Sequence, residues 1–379
     1  MASAAESWPT FHAGPTRCGA IGQAAALGSK VLWKFAEGKL LDQRPFVCSP
    51  AVAGSRVIIG CDNYKVYSLD LATGKPQWTF DTRWPVFSSP AVAKGRVYIG
   101  EGLHEHGDCK LYCLDLATGK PLWSLQTKSH TESSPTVADG RVYFGAGDDG
   151  VYCADAETGR VYWQYRDIHN DSCPLVIGGR VYAGSGYSFR GIVCLDARDG
   201  SPLWKREFPA PAWGAPSMSE GRLYVGSGTG TFDQGAEKPY GEARCLDPKT
   251  GADIWRFSGV KDGVLTSIAV SGGLAVFGCR DGACYALDAA TGELRWRTDV
   301  GAPILSSPAI AGGFVLFGAD DGKLNCLRLK DGTKAWERDT SEDVSVVVPD
   351  PRIQSSPAVA GGKVIFGSSN GNVYCLGAK

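Results

Sequence analysis

Residues 133–163 read SSPTVADGRVYFGAGDDGVYCADAETGRVYW, and this stretch decides the fold. It carries four short strand signals, SPTVA, RVYFG, VYCAD and RVYW, each bounded by turn residues. Asp139-Gly140 and Asp149-Gly150 read as hairpin turns, where glycine supplies the positive φ. A near-copy runs from SSPAVAKGRVYIG (88–100) to LYCLDLATGKPLW (111–123). Its last phrase, D-x-x-T-G-x-x-x-W, returns along the chain. The closing tryptophans Trp78, Trp123, Trp163, Trp204, Trp255, Trp296 and Trp336 are spaced by 45, 40, 41, 51, 41 and 40 residues. A period of about 40 with four strands per unit predicts a β-propeller rather than a helical solenoid.

Each part of the phrase has a physical task. The first strand is small and apolar because it is crowded at the propeller axis. Asp and Thr of the closing phrase bond their own turn, its Gly takes the turn conformation, and its Trp fills the wedge between blades. An eighth copy (355–377) stops after its third strand, and residues 30–35, KVLWKF, supply the missing fourth. The sequence therefore predicts an all-β, eight-bladed propeller of four-stranded antiparallel blades. Strand 30–35 completes the C-terminal blade in a three-plus-one closure, with Trp33 beside residues 373–376. Residues 31–379 read as one propeller, and residues 1–30 as an extension that packs on it.

Bulk properties exclude several classes. The net charge of −1 carries no footprint for nucleic acid. No apolar run approaches the roughly 20 residues of a membrane span. The opening MASAAESWPTF has neither a basic nor an apolar segment of a secretory signal. Among the thirteen cysteines, Cys113, Cys153, Cys194, Cys245, Cys326 and Cys375 share one repeat position, as buried small hydrophobes would. Cys279 and Cys284 flank one turn and are the pair placed to bridge. Unpaired thiols in this number suit a reducing compartment.

Function is expected on the face where the repeat lapses. The links into each first strand and the turns after each second strand share that top face. Four departures fall there: 101–108 (EGLHEHGD), 186–191 (GYSFRG), 228–241 (GTGTFDQGAEKPYG) and the link 339–354, with its apolar run 344–348. His104, His106, His130 and His169 all lie on its loops, accompanied by Glu105, Asp108, Glu132 and Asp171. Imidazole with carboxylate suits Zn, Ni, Cu or Fe, so His104, His106, His130, His169 and Asp108 are candidate metal ligands. The mouth of the axial channel is predicted to be ringed by Val47, Phe87, Glu132, Asp171, Trp213, Leu265, Leu305 and Gln354, with Arg83, Trp84 and Lys261 nearby. That amphipathic funnel suits a small ligand, a peptide or a protein partner. No catalytic residue is assigned, and a monomer is expected.

The repeat resembles the pyrroloquinoline-quinone-type propeller family over residues 31–379. The segment W-P-T-F-H-A-G-P from Trp8 is similar to one that precedes such repeats in bacterial members. The resemblance implies one of two functions. One is a non-catalytic scaffold of the BamB type, in the bacterial periplasm or cell envelope. The other is a quinoprotein dehydrogenase, with its quinone stacked on a Trp and Ca²⁺ held by Glu, Asn and Asp. The sequence departs from the dehydrogenases: it lacks their vicinal cysteine pair, has no haem-attachment motif, and offers Asn170-Asp171 as its one Asn-Asp pair on the top face. A sensor domain of a larger receptor is a third reading.

Overall fold

The computed structural model describes residues 7–22, 27–37, 44–343 and 350–378. The apolar run 344–348 lies outside them. The described residues form eight four-stranded antiparallel blades around an axis. Blades 1 to 7 occupy residues 51–81, 91–126, 136–165, 175–207, 217–257, 269–299 and 309–339, with strands in chain order from axis to rim. Blade 8 takes three strands from residues 358–377, and Lys30–Phe35 pairs antiparallel with Val373–Gly377 as its outer strand. Trp33 stands opposite Cys375 in that ladder, so the predicted closure holds. Both turn residues have positive φ at 94–95, 139–140, 178–179 and 361–362, as a two-residue hairpin matched to strand twist requires. Among the described residues, no helix is long and apolar enough to cross a membrane.

The closing tryptophans bind blade to blade. The indole N–H of Trp33, Trp78, Trp123, Trp163, Trp204, Trp255 and Trp296 donates to a carbonyl of the following blade at 2.9–3.3 Å. Each ring also lies on the glycine that ends the closing turn of that blade, T-G in five blades and D-G at Gly200 and Gly332. A Cβ on Gly119 would stand 2.6 Å from Trp78 Cε3. The repeated glycine thus serves both a turn with φ of +71° and the ring packed over it. Trp336 faces the closing blade and packs on the core that joins blades 1, 7 and 8.

Near the axis, the repeated Ser-Ser pair stitches neighbouring first strands. The Ser49 amide donates to Ser89 Oγ, Ser89 to Ser134 Oγ, Ser267 to Ser307 Oγ, Ser307 to Ser356 Oγ, and Ser356 to Ser49 Oγ, at 2.9–3.1 Å. Cys173 and Ala215 replace the serine in blades 4 and 5. All thirteen cysteines lie within the described residues and are unpaired, Cys279 and Cys284 included. Burial pushes the thiols of Cys245, Cys326 and Cys375 up to about 12, which makes them inert packing groups.

First strands leave an unpaired edge along the channel, and residues 8–21 cover it. Trp8 exchanges two backbone hydrogen bonds of 2.8 Å with Val52. The amides of Val92, Met218, Val270 and Ile310 donate to the carbonyls of Pro9, Thr16, Cys18 and Gly19 at 2.7–2.8 Å. Ala20–Ile21 then runs parallel to Ala309–Ala311. In blade 3 the buried Arg17 guanidinium donates to Ser134 O, Pro135 O and Thr136 Oγ1 at 2.5–3.2 Å.

Candidate functional site

Below, the axial channel is filled by this segment, whose Phe11 forms part of a cavity floor. Above, the 228–241 loop of blade 5 crosses the mouth. Thr231 O accepts from Arg280 of blade 6 (2.5 Å), Phe232 O from Gln354 (3.1 Å), and Asp233 Oδ1 pairs with Arg352 at the entrance to blade 8 (3.4 Å). The base of this loop is anchored by a buried network in which Glu242 accepts from Arg244 Nε (2.6 Å) and from the Tyr240 hydroxyl (2.8 Å). Between floor and roof remains a chamber of about 530 Å³. Its wall contains all eight residues predicted to ring the mouth: Val47, Phe87, Glu132, Asp171, Trp213, Leu265, Leu305 and Gln354.

Arg83, Trp84 and Lys261 do not line the chamber. Glu101 Oε2 accepts the amides of Arg83 and Trp84 (2.8 and 3.1 Å) and pins that turn against the blade-2 loop. The Arg83 guanidinium lies 5.1 Å above the Trp84 ring, and Lys261 is exposed.

One corner of the chamber gathers three histidines. His104 comes from the 101–108 loop, His130 from the link into blade 3, and His169 with Asp171 from the link into blade 4. Asp171 Oδ1 lies 2.9 Å from His130 Nε2, and its Oδ2 lies 2.8 Å from His169 Nε2 and 3.8 Å from His104 Nε2. One ligand atom from each of the four residues lies within 4.8 Å of the other three. An antiparallel bridge between Gly147, in the second hairpin turn of blade 3, and Asn170 ties that turn to the link into blade 4. Gly147 is needed there: a Cβ would run into the His130 ring and Ser129 Oγ. On the far side of the rings, His169 Nδ1 meets Asp148 Oδ1 at 2.7 Å and His130 Nδ1 meets Ser129 Oγ at 3.2 Å. The Tyr187 ring stands edge-on to His169 at 4.7 Å.

The electrostatics follow from burial and these contacts. Burial opposes charge on His169, but the carboxylates of Asp171 and Asp148 outweigh it and raise this ring above the ordinary value. Burial lowers His104, aided by the two neighbouring imidazoles and countered by Asp171. Burial would raise Asp171, yet hydrogen bonds from His130 and His169 hold its carboxyl well below the usual range. Glu132 is pushed well above that range by burial and by the charge of Asp171. Its Oε1 is buried without a hydrogen-bond partner, 3.9 Å from His130 Nε2.

His106 and Asp108 stand apart from this cluster. His106 Nδ1 accepts the Leu103 amide (3.2 Å) and its ring packs 4.3 Å from Trp84, so it faces away from His104. Asp108 is exposed, in a left-handed conformation with φ of +55°. Asp148 was not foreseen. Its local sequence, A-x-D-D-G in spirit, has no distinguishing mark, because blade 7 carries a similar Ala319-Asp-Asp-Gly322 with no histidine beside it. Only its position next to His169 separates the two.

The Ca²⁺ implied by the sequence resemblance does not fit this corner. Asn170, the one candidate amide, is buried outside the chamber wall, with its Oδ1 packed against Gly145 and its Nδ2 donating to Gly184 O at 2.6 Å. Asp171 is already shared by two imidazoles. Three imidazoles with one carboxylate are a borderline donor set, whereas Ca²⁺ takes six to eight oxygens.

Comparison with known proteins agrees with the blade architecture. The crystal structure of BamB from Moraxella catarrhalis superposes with a TM-score of 0.73 at 17% identity, covering 92% of this chain and 98% of that one. Quinohemoprotein alcohol dehydrogenase from Comamonas testosteroni gives 0.78 at 16% identity, covering 99% of this chain and 81% of that one. A computationally designed protein, Ika8, gives 0.72 at 16% identity, covering 90% and 98%. At these identities the likeness is one of fold. No curated protein matches the sequence. A family profile described as outer membrane protein assembly factor BamB matches residues 19–108, 103–175, 169–234 and 240–379, and the chain belongs to that family.

Proposed function

We propose that this chain is a non-catalytic binding propeller whose top-face chamber takes a small aromatic amphiphile. The observation that carries this reading is the chamber itself. The axial channel is filled below by residues 8–21 and roofed by the blade-5 loop, leaving about 530 Å³ between them. Its size and lining match a small-molecule site, with mostly apolar walls and a few convergent polar groups. Phe87, Trp213 and Tyr187 offer aromatic faces. The polar groups include Gln354, His104, the carboxyls of Asp62, Glu132, Asp171, Asp233 and Asp350, and Arg352, which is paired with Asp350 and Asp233.

Saturation-transfer NMR with a mixture of small aromatic amines, alcohols and carboxylates tests this. Signals are expected with the native chain and should weaken in Leu305→Trp, which narrows the chamber. Absence of transfer to any probe, or equal transfer in the narrowed variant, would refute the reading. Addition of pyrroloquinoline quinone with Ca²⁺ in a dye-linked alcohol assay is expected to give no turnover. Turnover would instead establish the dehydrogenase reading.

A further inference from the structure

We propose that His104, His130, His169 and Asp171 form a site for one divalent first-row transition ion, with an open coordination position facing the chamber. Four potential donors meet within 4.8 Å, supplied by three separate top-face segments. Four protein donors and one open position make a five-coordinate ion, whose neighbouring donors, at metal–nitrogen distances of about 2.0–2.1 Å, lie roughly 3–3.5 Å apart. The contacts of 2.8, 2.9 and 3.8 Å to Asp171 bracket that spacing, so small side-chain rotations suffice.

The surroundings are those of a supported ligand set. A ligating imidazole is normally oriented through its other nitrogen by a carboxylate or hydroxyl, as Asp148 does for His169 and Ser129 for His130. Gly147 leaves the space that the His130 ring needs. His130 and His169 are buried, at 2% and 6% exposure, and so have few positions to choose from. His104, Asp171 and Glu132 line the chamber, so the remaining coordination position opens there. The partnerless Oε1 of Glu132 stands beside it, placed to accept from a metal-bound water. The imidazole-rich set selects Zn²⁺, Cu²⁺, Ni²⁺ or Fe²⁺ over Ca²⁺ and Mg²⁺. The site shares a wall with the proposed ligand chamber but does not depend on it.

The test uses metal alone. Tag-free chain, stripped with chelator and dialysed, is titrated with Zn²⁺ and separately with Co²⁺. One ion per chain should survive gel filtration by elemental analysis, and Co²⁺ should produce a visible d–d band. His104→Ala, whose half-exposed side chain lies on a surface loop, should weaken binding at least tenfold, and Asp148→Asn by about 10–100-fold. His106→Ala, outside the cluster, should bind as the native chain does. His130→Ala should abolish the band. If thermal unfolding shows that this variant is misfolded, His104→Ala decides. Loss of all metal on gel filtration, equal binding by His104→Ala and the native chain, or displacement of Zn²⁺ by equimolar Ca²⁺ would overturn the proposal.

Discussion

Gly95 and Gly119 lie in the same blade with nearly the same backbone conformation, φ of +74° and +71°, yet alanine should cost much more at one than at the other. At Gly95 a Cβ would meet nothing within 4 Å. Only the left-handed backbone penalty applies there, about 1 kcal/mol. At Gly119 the same penalty applies, and the Cβ would also stand 2.6 Å from Cδ2 and Cε3 of Trp78. The indole must then move off the turn. Overpacking of this kind costs about 1–3 kcal/mol. The 2.9 Å bond from Trp78 Nε1 to Leu116 O is strained as the ring moves, for about 1 kcal/mol more. Gly119→Ala is thus expected to exceed Gly95→Ala by about 2–4 kcal/mol.

With an unfolding entropy of about 2.1 cal/mol/K per residue, that excess lowers Tm by roughly a further 3–5 °C in this chain. Differential scanning calorimetry of both variants in one buffer reads it directly. The backbone term is common to both and drops out of the comparison. A double-mutant cycle with Trp78→Ala should then abolish the excess, because no ring remains to be displaced. Equal shifts for the two variants, or an excess that persists without Trp78, would refute the idea that this glycine makes room for the neighbouring blade's tryptophan.

Three further outcomes follow from buried polar groups. Glu242→Ala leaves the buried Arg244 with Asp253 as its remaining partner and frees the Tyr240 hydroxyl; urea unfolding should show a loss of about 3 kcal/mol, and Glu242→Gln with Arg244→Met should recover most of it. Asp320 is raised to about 6 by burial, which outweighs the pull of Arg352. Its folded value lies above the unfolded one, so its stability contribution is fully present below about pH 4 and is lost as pH rises through 6. Asp320→Asn should therefore gain roughly 2 kcal/mol at pH 7.5 after allowance for partial exposure, and nothing at pH 4, as read from urea midpoints at both values. Arg17→Met removes the donor that serves Ser134 O, Pro135 O and Thr136 Oγ1, costing about 2–3 kcal/mol. Hydrogen exchange should then quicken at the amides of Val270 and Ile310, which residues 18 and 19 cover.

The sequence by itself determined the blades, their number and the latch. Each depends on a phrase about 40 residues long whose turns, strands and wedge residue are set by local chemistry, and a repeat makes the same statement eight times. Trp33 could be assigned to the last blade because a blade short of one strand leaves an open edge. The eight residues around the mouth were legible for the same reason: each occupies one fixed place in the repeat. Tertiary structure alone decided where non-repeating side chains point. His104 and His106 are two residues apart in one loop, yet one joins His130 and His169 while the other packs on Trp84. Asp148 and Asp320 occupy similar turns, but only Asp148 finds a histidine ring across the link. The roof over the chamber likewise depends on Phe232 and Asp233 reaching blade 8 across two intervening blades. A repeat specifies what lies next to each residue within its own blade, whereas a loop's direction follows from contacts between distant segments that no local pattern encodes.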